Sequence, residues 1–180
     1  KFMIGTGIEE LARRVLPERD YTDSLAAELA ALMRGEYASR WAKNTVPYEG
    51  ILPMLSALSS MKVPMAVLSN KIDEFTQAIV QRYFGDFTFR LVMGMRPDFP
   101  RKPDPASSLN IATSMRLEPA EIVFAGDSGT DMETARRAGM YAVGVLWGFR
   151  GRDELISTGA HLVINSPLEI PPLFEPGKKQ

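Results

Sequence analysis

The apolar positions of this chain change their spacing near residue 46. Before it, Ile8, Leu11, Ala12, Val15 and Leu16 recur at helical intervals until Pro17 interrupts them. Thr6 followed three residues later by Glu9 is the capping-box pattern that starts such a helix. A second series, Leu25, Ala26, Leu29, Leu32 and Met33, continues towards Trp41 among strong helix formers, with Thr22 or Asp23 placed to cap it. Residues 1–45 therefore predict helices and no strand.

From Pro47 a different grammar takes over. The stretch "PYEGILPMLSALSSM" predicts a turn and a helix, and "VPMAVLSN" predicts a short apolar strand ending in polar residues. Strands are expected at Met65–Leu68, Phe89–Met93, Ile122–Ala125, Ala142–Leu146 and Leu162–Ile164, with helices over Ile72–Tyr83, Ala106–Met115 and Asp131–Ala138 between them. Short, nearly continuous apolar strands divided by helices predict an α/β fold whose parallel sheet is covered on both faces. At 180 residues the chain suits one domain, or a core with a small accessory lobe.

In such sheets ligands bind beyond the carboxyl ends of the strands, which singles out three places. Ser69 and Asn70 follow the first strand and offer a hydroxyl and an amide, although such a pair is also ordinary turn chemistry. Lys102 lies in "RKPDP", where Pro100, Pro103 and Pro105 stiffen the loop and hold its ammonium as a fixed point charge. Asp127 stands at the exit of the third strand, and Asp131 stands about one turn later. Two carboxylates about 4 Å apart repel by about 4 kcal/mol at an effective dielectric of 20, so a cation between them is expected. Hard oxygen ligands without His or Cys favour Mg²⁺. The alternative for an isolated GDxxxD is that both acids cap the following helix.

Charge and composition narrow the function classes. Twenty-one basic against 22 acidic residues leave a formal net charge of −1, and no basic block of five appears, so neither nucleic acid nor an anionic membrane is an expected partner. The absence of Cys removes disulfides, thiolate nucleophiles and cysteine zinc sites, and suits a reducing cytoplasm. No apolar run reaches the roughly 18 residues of a membrane span, and the start "KFMIGTGIEE" has no hydrophobic signal core. A cytoplasmic protein is the expectation.

A small polar pair, a proline-flanked lysine and GDxxxD, each beyond a predicted strand, are hard to obtain from independent capping needs. In that order "AVLSN", "RKPDP" and "VFAGDSGTD" resemble the second, third and fourth motifs of the haloacid dehalogenase-like hydrolases. Longer stretches, "VPYEGILPMLSALSSMKVPMAVLSNK" and "AVGVLWGFRGRDELISTGAHLVINSPLEI" among them, are similar to the phosphoglycolate phosphatase-like branch. The resemblance implies a Rossmann-like parallel core over residues 46–180 and part of a small helical cap over residues 1–45. It implies hydrolysis of a small phosphorylated metabolite through an aspartyl-phosphate. In this picture Ser69 and Asn70 meet the phosphoryl group, Lys102 offsets charge on nucleophile and phosphate, and Asp127 and Asp131 hold Mg²⁺ and its waters.

One motif of the resemblance is missing. The nucleophile belongs to a DxD signature at the end of a first, central strand, and no DxD pair here follows an apolar strand: Asp20 and Asp23 lie between helices, and Asp98 and Asp104 lie in a proline-rich loop. The expectation is an N-terminal segment before Lys1 that carries this strand, since its omission leaves two neighbouring strands with unpaired backbone groups. Within the superfamily a phosphoglucomutase shares the metal-binding core, and a catalytically inactive relative that binds a phosphorylated ligand or a partner protein is a further alternative. "GDSG" also matches the nucleophile region of trypsin-like proteases, which would feature Ser128. Against that, the sole histidine, His161, lies downstream beside an expected edge strand. Arg14, Arg40 and Arg150 are unranked candidates for an anion contact, and no oligomeric state is legible.

Overall fold

A computed structural model describes residues 8–175 of the chain. The helical opening consists of α1 (Ile8–Val15) and α2 (Asp23–Arg40), which pack on each other. Thr22 caps α2 by accepting a hydrogen bond from the Leu25 N–H at 3.1 Å. The capping box expected of Thr6 and Glu9 lies outside the described residues. The apolar series of α2 is buried at Ala26 and Ala30, whereas Leu32 is 67% exposed.

The strand-helix alternation expected after Pro47 is present. Helices α3 (Ile51–Ser60), α4 (Asp73–Phe84), α5 (Ala106–Met115), α6 (Gly129–Ala138) and α7 (Arg152–Ser157) alternate with strands β1 (Met65–Ile72), β2 (Phe89–Met95), β3 (Val123–Gly126), β4 (Tyr141–Val145) and β5 (Leu162–Ile164). All strand pairs are parallel. Two corrections to the expected elements bear on the site. β1 does not end at Leu68 but continues through Ser69 and Asn70 to Ile72, with its register against β2 broken between Leu68 and Ile72. Helix α7 had no counterpart in the sequence reading.

Helices cover both faces of the β3–β4–β5 sheet. On one face Met54, Leu55 and Leu58 of α3 pack with Val143, Val145 and Ile164. On the other, Met132, Ala135 and Ala138 of α6 pack with Ala142 of β4 and Leu155 of α7. The alternation of Ala142, Val143 and Val145 between the two clusters is the period-two pattern of a strand buried on both sides.

The strands form two sheets, β1–β2 and β3–β4–β5. Among the described residues β1 pairs only with β2 and β3 only with β4, so each presents one unpaired edge. A cavity of about 570 Å³ touches both strands, lined by Met65, Ala66 and Leu68 of β1 and by Val123, Phe124 and Ala125 of β3. The apolar lining is that of a sheet interior, and the opening lies between the unpaired edges of β1 and β3. The C-terminal end of α2 rests near the far end of β1. Tyr37 meets Phe75 of α4 edge-on at 5.0 Å, and Trp41 meets Tyr83 edge-on at 6.5 Å.

Candidate active site

Three of the five side chains singled out by the sequence, Asn70, Lys102 and Asp131, are linked by hydrogen bonds where β1 and β3 run out. Asn70 and Lys102, 32 residues apart, exchange two hydrogen bonds: Asn70 Nδ2 donates to the Lys102 carbonyl at 3.1 Å, and the Lys102 N–H donates to Asn70 Oδ1 at 2.9 Å. The amide thus pairs with the loop backbone as a neighbouring strand would, and fixes the residue that carries the ammonium. Lys102 Nζ in turn donates to Asp131 Oδ1 at 2.7 Å and to the Leu68 carbonyl at 3.3 Å. The side chains of Lys102 and Asp131 are 11% and 9% exposed, so this ion pair is shielded from water. The Ser69 hydroxyl bonds outside this set, its Oγ accepting from the Lys71 N–H at 3.1 Å.

Asp131 belongs to the first turn of α6. Its Oδ2 accepts from the Ser128 N–H at 3.1 Å and from Ser128 Oγ at 2.6 Å, a capping box between the N-cap and the third helical residue. The capping alternative is therefore realised for Asp131 alongside its contact with Lys102. Gly126 explains how the carboxylate comes so close to the strand: a Cβ there would lie 2.3 Å from the Cβ of Asp131. Asp127 caps nothing. Its Oδ2 accepts from the Phe149 N–H at 2.9 Å, across from the loop that follows β4.

The donor set matches a hard cation only in part. Among the described residues no group of three or more His, Cys, Asp and Glu could enclose a metal ion. Asp127 and Asp131 could offer carboxylate oxygens to a hard ion such as Mg²⁺, commonly held by one or two carboxylates, although both oxygens of Asp131 already accept from Lys102 and Ser128. Asp131 also lines the cavity between β1 and β3, so a segment occupying that cavity ends beside the Lys102–Asp131 pair.

Several residues of the site were not legible in advance. Ser128, which the sequence offers only as a protease-like serine, instead orients Asp131, and its S-x-x-D spacing is a readable capping signal. Glu154 of α7 accepts from the N–H of Gly129, the first residue of α6, at 3.0 Å. Among the described residues no serine pairs with His161, whose Nδ1 accepts from the Ala142 N–H at 2.9 Å and whose ring stacks on Tyr141. The three candidate arginines are each ion-paired, Arg14 with Glu10, Arg40 with Glu36 and Arg150 with Glu154.

Comparison with known proteins agrees with the motif reading. A family model described as haloacid dehalogenase-like hydrolase matches residues 1–145. A phosphoglycolate phosphatase of Pseudomonas putida is 32% identical over 167 residues, covering 90% of this chain and 61% of its own length. One from Thiobacillus denitrificans is 30% identical, with 83% of this chain and 67% of the relative covered. The chain thus spans about three fifths of the length of the Pseudomonas relative. Among solved structures, a predicted phosphoglycolate phosphatase from Haemophilus somnus superposes with a TM-score of 0.87 at 22% identity, covering 96% of this chain and 80% of that one. A β-phosphoglucomutase from Clostridium difficile gives 0.71 at 19% identity, covering 94% and 75%. No helix among the described residues is long and apolar enough to cross a membrane.

Proposed function

Because the chain belongs to the haloacid dehalogenase-like hydrolases, we propose that it supplies the phosphate- and metal-handling side of a Mg²⁺-dependent phosphatase acting on a small phosphorylated metabolite. The observation that carries this reading is the apolar opening between β1 and β3, which ends at Asp131 beside Lys102. A parallel strand placed there pairs both free edges and delivers its carboxyl end, with an aspartate nucleophile, to the ammonium. Residues 1–45 form part of a helical cap over the core of residues 46–180.

In the proposed reaction that carboxylate attacks phosphorus, the bond to the ester oxygen breaks, and the leaving oxygen takes a proton from solvent water and departs as the alcohol. Water then attacks the acyl phosphate and releases inorganic phosphate, splitting one difficult displacement into two easier ones. Lys102 offsets the crowding of negative charge as nucleophile and phosphate meet, and Asn70 holds its backbone in place. Ser69 Oγ donates to a phosphoryl oxygen. Asp127 and Asp131 would hold Mg²⁺, which when bound would stabilise charge on the phosphoryl oxygens. Asp131 also keeps Lys102 aimed at the site.

The Pseudomonas and Thiobacillus relatives are named phosphoglycolate phosphatases, so phosphoglycolate is the first ester to test. The decisive experiment screens the full-length protein against small phosphate esters, with and without Mg²⁺, beside Asp127→Asn. Metal removal and the substitution are each expected to lower turnover by at least about 100-fold, the scale of losing a major electrostatic stabiliser. Undiminished turnover in both cases would overturn the reading.

A further inference from the structure

We infer that Gly148 is a positioning residue for Asp127, fixing from the loop after β4 the direction in which that carboxylate faces the metal. The inference rests on the metal-binding role proposed for Asp127. Gly148 has no conformational need to be glycine: the glycines with positive φ among the described residues are Gly50, Gly139 and Gly159. Its missing side chain is explained by what fills the space. A Cβ at position 148 would lie 2.2 Å from the Cβ of Asp127, 2.2 Å from its Oδ2 and 2.5 Å from its Cγ, and these are the three nearest atoms.

The contact with Cβ decides the consequence. Rotation about χ1 moves a carboxylate but leaves Cβ where the backbone puts it, so Asp127 cannot evade a methyl at 148 by changing rotamer. Either the end of β3 or the loop has to shift. The same loop donates the Phe149 N–H to Asp127 Oδ2 at 2.9 Å, which leaves the other carboxylate oxygen for a cation. One step further on, Glu154 takes the Gly129 N–H and pairs with Arg150 at 3.5 Å, so the loop and α7 hold the Gly126–Gly129 turn on both sides of Ser128. A shift large enough to admit a methyl therefore loosens the grip on Asp127.

The test measures Mn²⁺ binding to the full-length protein, from the electron paramagnetic resonance signal of the free ion, for the unaltered protein, Asp127→Asn, Gly148→Ala and Gly151→Ala. Gly151 is the control, because its φ is −89° and a Cβ there meets nothing within 4 Å. Gly148→Ala is expected to weaken Mn²⁺ binding by about 10- to 100-fold, the usual effect of losing a group that orients a ligand, with Gly151→Ala unchanged. Unaltered Mn²⁺ affinity in a folded Gly148→Ala, while Asp127→Asn abolishes binding, would overturn the inference alone. Absence of Asp127-dependent binding in the unaltered protein would overturn the metal reading and the inference with it.

A second measurement needs no metal and covers the case in which Gly148→Ala fails to fold. The melting temperature is compared for Gly148→Ala in the unaltered background and in Asp127→Gly, a double-mutant cycle. Where the single variant does not fold, the recovery of a cooperative melt in the Asp127→Gly background is read instead, and a double variant that also fails to fold where Asp127→Gly alone folds would overturn the inference. The alanine is expected to lower Tm with Asp127 present and to leave it unchanged once that side chain is gone. Equal losses in both backgrounds would show that the glycine answers to something other than Asp127.

Discussion

Tyr141–Val145 and Met65–Leu68 are both short apolar strands, yet they have different surroundings. β4 is hydrogen-bonded on both edges, and Ala142 and Val143 are fully buried. β1 is bonded on one edge, and Ala66, Val67 and Leu68 remain half-buried beside the opening to β3. Composition thus sets the tendency to form a strand, whereas neighbours set how much of it leaves water. The Lys102–Asp131 pair stands at the mouth of the incompletely covered region: Lys102 reaches from the Leu68 carbonyl on one side of the opening to Asp131 on the other.

Removing that bridge is the largest expected way to disturb the contrast. Lys102→Met takes the counter-charge from a carboxylate that is 6% exposed as a residue, and breaking one side of a buried pair costs about 3–5 kcal/mol. Urea unfolding of the full-length protein checks this figure. Turnover is expected to fall by at least about 100-fold as well. Lys102→Arg keeps the charge but replaces a compact ammonium by a planar fork, so it is expected to recover stability better than turnover. A Lys102→Met protein with full turnover would contradict the role assigned to the ammonium.

The same contrast explains what was legible in the chain. Helix α5 matches the expected Ala106–Met115, and β5 matches Leu162–Ile164, because in each case local periodicity and flanking breakers coincide with the element. The order Ser69, Lys102, Asp127, Asp131 was readable because each side chain lies in the last residues of a strand or in the segment after it, where an α/β sheet gathers its ligands. What escaped was tertiary. The Asn70–Lys102 exchange joins residues 32 apart, the Glu154–Gly129 bond residues 25 apart and the Phe149–Asp127 bond residues 22 apart, and none leaves a periodic trace. The six-residue α7 is too short for an apolar rhythm. The exposure of Leu32 escaped because an apolar stripe indicates which face seeks cover without indicating whether a neighbour is there.

A paired truncation sharpens the comparison between the strands. Leu155 is fully buried in the cluster behind β4, and Leu155→Ala is expected to cost about 2–5 kcal/mol. Leu68 lines the opening, and with the opening empty its truncation removes contacts on one side only, which corresponds to about 1 kcal/mol. In the full-length protein, with the proposed strand in place, Leu68→Ala is expected to approach the cost of Leu155→Ala. Denaturant midpoints of the two variants at unchanged m-value provide the measurement. A Leu68→Ala cost that stays near 1 kcal/mol would mean that no strand packs against this edge.

The smallest expected effect concerns the contact between the helical opening and β1. Lys71 Nζ donates to Tyr37 OH at 2.6 Å and lies 4.5 Å from the centre of the same ring, while its N–H bonds Ser69 Oγ. Tyr37→Phe keeps the ring, its edge contact with Phe75 and the cation above it, and deletes only a hydrogen bond that water replaces at this exposed position. The loss is expected to stay within about 0.5 kcal/mol. Tyr37→Ala removes both ring contacts and is expected to cost about 0.5–1.5 kcal/mol. A Tyr37→Phe loss as large as that of Tyr37→Ala, measured by thermal melts of the two variants, would move the weight of this contact from the ring to the hydroxyl. Alignment of α2 over Ser69 would then depend on one directional bond to Lys71 rather than on aromatic packing, which tolerates sliding.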